Sequence, residues 1–428
     1  MRDIVLAIVM AIITPLGLVH PWMGIMSWAF VSLASPHRQT YSYMYDAPVA
    51  MLTGVATLLG LVISKDPKRL VFRGPVVWLL LFTIWMLITF PFSLEQVPDN
   101  AEQLSKVMKI MLMNFVALTV LFARRQVDVL VAVSALSLGI YGVKGGLFTV
   151  LTGGSFRVQG LGGFLAGNNE MAVALIMTVP LLYYLTTITT RRWLRLGLFG
   201  AMFFTCVAAV GSQSRGALLA IVAMGAAFVY RSPNRSKALL PLLAIAVFIP
   251  FFMPESWWNR MDTIGTYEQD ASAMGRINAW HLAWNVATHN FFGGGFFLES
   301  DAIFARYAPE PTDIHVAHSI YFQVLGQHGF VGLFLFVGMW IATWRTCRWV
   351  SKNAWSAKDQ MLARMIEVSL FGYAVGGAFL NLAYYDGPYY LLIALVVIRY
   401  KLLNDKPGDT TPAVPEEPAK EAPGPARA

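Results

Sequence analysis

Apolar stretches long enough to cross a bilayer recur along most of this chain, and that pattern constrains the fold more than any motif within it. A helix needs about 20 residues to span the hydrocarbon core, where an open backbone cannot be satisfied. Such segments fall at about 4–35, 46–64, 74–92, 105–122, 127–150, 168–187, 195–211, 214–230, 237–252, 319–344, 362–383 and 388–402. Of 428 residues 57% are hydrophobic and 13% charged, with mean hydropathy +0.56, which no ordinary soluble fold of this size requires. The chain is expected to be an all-α polytopic membrane protein. Its first segment reads as a retained span and not as a removed signal peptide.

Loop charge sets the topology. Lys65, Lys68, Arg69 and Arg73 follow the second segment, Arg124 and Arg125 the fourth, and Arg191, Arg192 and Arg195 the sixth. Arg231, Arg235 and Lys237 follow the eighth, and Arg345, Arg348 and Lys352 the next basic loop. Every second loop is basic, so by the positive-inside rule these loops are cytoplasmic. The alternation works with a cytoplasmic N-terminus only if residues 4–35, interrupted by Pro15, Gly17 and Pro21, cross once, giving about twelve spans. Residues 1–252 then hold nine spans, 253–317 form a large outer loop, 318–403 hold three more spans, and 404–428 form a Pro-rich, disordered cytoplasmic tail. The net charge of +8 lies in these short loops, so it points to topology and not to nucleic acid. Two cysteines, Cys206 and Cys347, make neither a disulfide framework nor a metal site.

Three polar regions share the outer face: the loop holding Arg157, the turn around Arg215, and the loop 253–317. Arg276, Trp280 and Trp284 are spaced to share one face of an interfacial amphipathic helix lying on the bilayer surface. Arg215 in S-Q-S-R-G is either a solvated loop arginine or an anion site, where small residues free backbone N–H groups beside its planar fork. Arg276 either snorkels to headgroups or binds a ligand. Arg157 stands among glycines that permit close backbone approach. Asn169 and Glu170 enter an otherwise apolar span, where they bond neighbouring helices or line a polar cavity. His318 opens a hydrophobic span, with His315 and His328 nearby. It caps that helix, faces solvent, or acts there. A helix N-terminus disfavours the imidazolium and leaves a neutral ring able to accept a proton. No H-E-x-x-H, paired Cys/His or D-x-D pattern supplies a metal-ligand set, and no P-loop is present.

The run from His318 through Ser319 to Gly329 and Gly332 resembles the histidine motif of the O-antigen ligase and polymerase superfamily. The likeness extends to S-R-G at 214–216, G-R-x-x-x-W at 275–280 and N-N-E-M-A at 168–172, in that family's order. H-P-W-M-G-I-M-S-W and S-P-H-R near the N-terminus are similar to the exosortase-associated subgroup of O-glycosylation ligases. The resemblance implies a GT-C-like membrane fold with a large periplasmic loop before the last three spans. It further implies a metal-independent, inverting glycosyltransferase of the bacterial inner membrane, without cofactor, its active site facing the periplasm. The donor would be a glycan on undecaprenyl diphosphate and the acceptor a sugar hydroxyl of lipid A-core. His318 takes the general-base position, and Arg215 and Arg276 the diphosphate-binding positions. Asp386 in the last outer turn matches an acidic position, and Asn169, Glu170, His315 and Arg157 are further candidates for substrate contact.

O-antigen ligase is the leading expectation. An O-antigen polymerase or a protein O-oligosaccharyltransferase of the same superfamily would share the donor-side residues. A lipid-linked glycan transporter, using Glu170 and the arginines as a pathway, stands as a reading from another class.

Overall fold

The computed structural model describes residues 1–160, 162–232, 235–262 and 270–404, all helix or loop. The expected disordered tail therefore lies, from residue 405 on, outside the described residues, as does the 263–269 part of the large loop. Four helices open the chain, α1 (Arg2–Val19), α2 (Pro21–Ala34), α3 (Val49–Ile63) and α4 (Pro75–Thr89). Then follow α5 (Pro98–Val120), α6 (Arg124–Leu151), α7 (Asn168–Ile188), α8 (Arg192–Gly211), α9 (Arg215–Arg231) and α10 (Arg235–Phe252). The large loop carries α11 (Glu255–Asp262), α12 (Ala271–His289) and α13 (Asp301–Tyr307), and α14 (Ile320–Asn353), α15 (Ala357–Gly377) and α16 (Asp386–Asn404) close the bundle. Seven helices among the described residues are long and apolar enough to cross a membrane, with α2 and α3 shorter apolar helices beside them. This is an all-α, multi-pass membrane architecture.

One expectation is corrected at the start of the chain. Residues 4–35 do not traverse the bundle once: α1 and α2 double back at His20, where Pro21 begins a new helix. A Cβ on Gly24 would lie 3.0 Å from the Gly17 Cα, and Ser27 Oγ donates to the Ile13 carbonyl, so the two helices run antiparallel in contact. Asp3 consequently accepts backbone N–H bonds from Ser42 and Met44, while His20 meets Asp66 at 3.0 Å at the other end. Residue 3 and residues 42–44 thus share one end of the bundle. The turn at His20 sits with the basic loop after α3. Loop charge could not reveal this, because neither the N-terminus nor the α1–α2 turn carries a basic cluster.

Helix α7 and the first three turns of α16 are buried on nearly all sides, as helices hydrophobic all round must be in a bundle centre. Small residues permit the closest approaches. A Cβ on Gly146 would fall 2.2 Å from the Phe204 carbonyl oxygen, so α6 and α8 meet backbone to backbone. At the basic end, Arg124 pairs with Asp128 at 2.7 Å and with Asp359, and Lys358 reaches Asp128 at 2.5 Å, tying α6 to α15. Helix α14 is two helices across a break at Gly329, whose φ 67° and ψ −172° only glycine adopts readily. Its segment before the break stays at the end opposite the basic loops, and the rest runs through the bundle to them.

Candidate active site

Four helix starts converge at the end of the bundle opposite the basic loops, and each is built by local chemistry. Asn168 opens α7 behind Gly167, over which the Glu170 carboxylate folds, with its Oε2 2.1 Å from where a Gly167 Cβ would stand. Glu170 thus sits against the start of α7 while it also lines the cavity described below. The turn before α9 has Gln213 at φ 56° and Ser214 as N-cap, its hydroxyl accepting from Ala217 N at 3.2 Å. Trp257 of α11 fixes that turn from below by donating to the Val210 carbonyl at 3.3 Å. Helix α12 starts on Asp270, whose carboxylate caps Ser272 and Ala273 at 2.9 and 3.2 Å and also pairs with Arg215. That arginine's hydrogen bond, and after it the backbone caps, hold the Asp270 carboxyl below the usual range despite burial.

The segment 275–280 positions the histidine run. A Cβ on Gly275 would lie 2.6–2.8 Å from the His315 ring, so only glycine lets that ring rest on α12. Trp280 donates to the Ala317 carbonyl at 2.6 Å and stacks on Phe322 at 5.1 Å. The expected bilayer-facing aromatic stripe is corrected here. Trp284 is exposed, but Trp280 turns inward, and α12 buries Gly275, Ala279, Ala283 and Ala287 toward its neighbours. Small residues allow close packing with α14, which outweighs membrane contact for that face.

His318 immediately precedes the N-cap Ser319 of α14 and holds φ 43°, a left-handed conformation uncommon outside glycine. Its Nδ1 is buried without a hydrogen-bond partner among the described residues and stands 3.8 Å from Glu170 Oε1. Burial, then the charges of Arg276 and His315, push its pKa down to about 4, so the ring is neutral near pH 7. Arg276, its Nε buried without a hydrogen-bond partner among the described residues, lies within electrostatic reach of His318, Glu170 and Arg215.

His318 lines a cavity of about 740 Å³ together with Asn169 and Glu170. Its other walls mix Gln103, Gln323, Gln327 and Asn381 with Phe164, Phe296, Phe297 and Tyr384. Amides with aromatic faces suit a polyhydroxylated ring. Arg157, Arg215, Arg276, His315 and Asp386 are not among the lining residues. Arg157 Nε donates to Gln213 at 3.2 Å, bracing the turn before Arg215. His315 lines a separate crevice of about 20 Å³ and faces Asp313. Asp386 is buried at the start of α16 with Tyr390 donating to it at 3.2 Å, inside the core because the tyrosine-rich turn folds over it.

Sequence reasoning passed over Lys106, which lines the cavity with its ammonium 3.9 Å from the Phe164 ring centroid. A lysine at the start of the apolar segment 105–122 was the available signal. It also missed Glu299, whose carboxyl burial pushes above the usual range. A donor chain behind the wall was equally unseen. Gln327 donates to the Phe296 carbonyl, Tyr384 to Gln327, and His328 Nε2 to Tyr384, at 2.9, 2.7 and 2.9 Å. Thr89 completes it at His328 Nδ1, 2.8 Å away.

Residues 200–337 match the profile of a protein family described as O-antigen ligase. That match supports the O-antigen ligase superfamily for this part of the chain. The matched segment contains Arg215, Arg276 and His318, the residues that converge near the cavity. Residues 1–190, with Arg157, Asn169 and Glu170, match a family of unknown function. No curated protein matches the chain. Among the described residues no three His, Cys, Asp or Glu side chains come together as metal ligands.

Proposed function

We propose that this chain transfers a glycan from a polyprenyl diphosphate carrier to a sugar hydroxyl of lipid A-core at the outer face of the bacterial inner membrane. The observation that carries this reading is the unpaired, neutral His318 at the wall of an amide-and-aromatic cavity, with Arg276 and Arg215 on its flank. The acceptor hydroxyl loses its proton to an imidazole nitrogen of His318 as its oxygen attacks the anomeric carbon. The bond from that carbon to the diphosphate oxygen breaks on the opposite face, so configuration inverts. Charge gathers on the departing diphosphate, where the guanidinium groups of Arg276 and Arg215 stabilise it. Arg215 shares its fork with Asp270, which aims it. Lys106 adds a cation to the sugar-binding wall.

Purified protein given a polyprenyl diphosphate-linked glycan with lipid A-core, an acceptor protein, or a second lipid-linked glycan tests the choice of acceptor. Glycosylated lipid A-core is expected. Product only on protein or on the second glycan would move the chain to the oligosaccharyltransferase or polymerase branch, and movement of lipid-linked glycan with no covalent product would make it a transporter.

A further inference from the structure

A second cavity, of about 470 Å³, lies toward the basic end of the bundle and shares no lining residue with the first. Trp78 of α4, Phe334, Gly338 and Ile341 of α14 form its apolar wall, and Arg345 of α14 and Arg399 of α16 its polar end. Phe334 is 65% and Ile341 50% exposed, so the apolar wall opens to the bundle's outside. From Phe334 to Arg345 the helix rises eleven residues, about 16 Å, close to half the ~30 Å hydrocarbon thickness. An apolar trough half a bilayer long, with cations at its interfacial end, has the dimensions of a phospholipid in one leaflet.

The charges favour an anionic headgroup. At this end of the bundle Arg124 is neutralised by Asp128 and Asp359, and Arg231 by Glu367. Among the described residues neither Arg345 nor Arg399 has such a pair, and no carboxylate lines the groove. Simple snorkelling into water would leave a guanidinium wet. The Arg399 Nε is instead sealed from solvent with no hydrogen-bond partner among the described residues, and its guanidinium lies 5.2 Å from the Trp349 ring centroid. A fixed, partly desolvated guanidinium beside a second one suits a phosphodiester.

We propose that this groove binds an anionic phospholipid of the leaflet at the basic end, its phosphate between Arg345 and Arg399 and one acyl chain along Trp78, Phe334 and Ile341. The test uses full-length protein in detergent, titrated with dioleoyl phosphatidylglycerol or dioleoyl phosphatidylcholine and read by native mass spectrometry. Phosphatidylglycerol should be retained in preference to phosphatidylcholine. Arg345→Gln and Arg399→Gln should each reduce that preference about fivefold. Ile341→Trp, at a half-exposed position where folding is undisturbed, should block retention by filling the trough while both arginines remain. Unchanged preference in the double glutamine variant, or unchanged retention in Ile341→Trp, would overturn the proposal. Displacement of the lipid by millimolar inorganic phosphate would equally overturn it, assigning the arginines to a free anion.

Discussion

Gly275→Ala is a small change with a calculable consequence. The added methyl would stand 2.6, 2.7 and 2.8 Å from the Nδ1, Cγ and Cε1 of His315. Ordinary contact needs about 3.5–4.0 Å, so the ring must withdraw by about 1 Å. It cannot do so alone, because Trp280 holds the Ala317 carbonyl two residues on, and His318 follows at a strained φ of 43°. The displacement is therefore passed to His318. A misplacement of about 1 Å at a reacting group costs about a hundredfold in rate, while overpacking one methyl costs about 1–3 kcal/mol of stability. Transfer assayed with saturating donor should fall about a hundredfold while the protein still unfolds cooperatively on heating. The double variant Gly275→Ala/His315→Ala, which removes the ring that is struck, should recover much of the loss. Wild-type transfer by Gly275→Ala would refute the role given to α12 as the support of the histidine.

Other expectations follow from the same geometry. With the His318 pKa near 4, kcat/KM should stay flat from about pH 6 to 8 and decline only toward pH 4; an acid limb centred at the ordinary 6.5 would count against a buried base. The unfolded chain takes up this proton first, so His318 lowers folding stability as pH falls from about 6.5 toward 4 and leaves it unaffected above, which thermal unfolding across that range can follow. Lys106→Met should fold normally and lower kcat/KM at least about tenfold through loss of a charged contact in the cavity, and an unchanged value would remove Lys106 from the site. Arg215→Lys keeps the charge but not the planar fork shared with Asp270, so donor-dependent transfer should drop about tenfold or more; full activity would show that bidentate geometry is dispensable there.

The membrane class, the helix positions and the gathering of Arg215, Arg276 and His318 at one end of the bundle were legible in the sequence because each rests on hydropathy, loop charge or short motifs. The hairpin of α1 and α2 was not, since two prolines and a glycine are as compatible with a kinked single span as with a reversal. The contact of Gly17 with Gly24 and the Ser27–Ile13 hydrogen bond, between residues close in sequence yet packed face to face, distinguish them. The inward turn of Trp280 was hidden for a related reason. Aromatic spacing on a helix does not say whether lipid or another helix covers it, whereas the small residues Ala279, Ala283 and Ala287 on the same helix decide for a helix. Asp386 looked like a loop carboxylate because its neighbours are tyrosines and glycine, yet those tyrosines bury it. Lys106 was lost at the edge of an apolar run, where its position eight residues from the start of α5 concealed a charge that faces the cavity.

The central claim is that His318 takes the acceptor proton during glycan transfer. Purified wild-type protein and His318→Ala, each shown to be folded by the same thermal transition, should be given polyprenyl diphosphate-linked glycan and lipid A-core, and the anomeric configuration of the product determined. Wild type should yield inverted product, and His318→Ala should be slower by about a hundredfold to ten-thousandfold. Transfer at the wild-type rate by His318→Ala, or retention of configuration by wild type, would contradict the account.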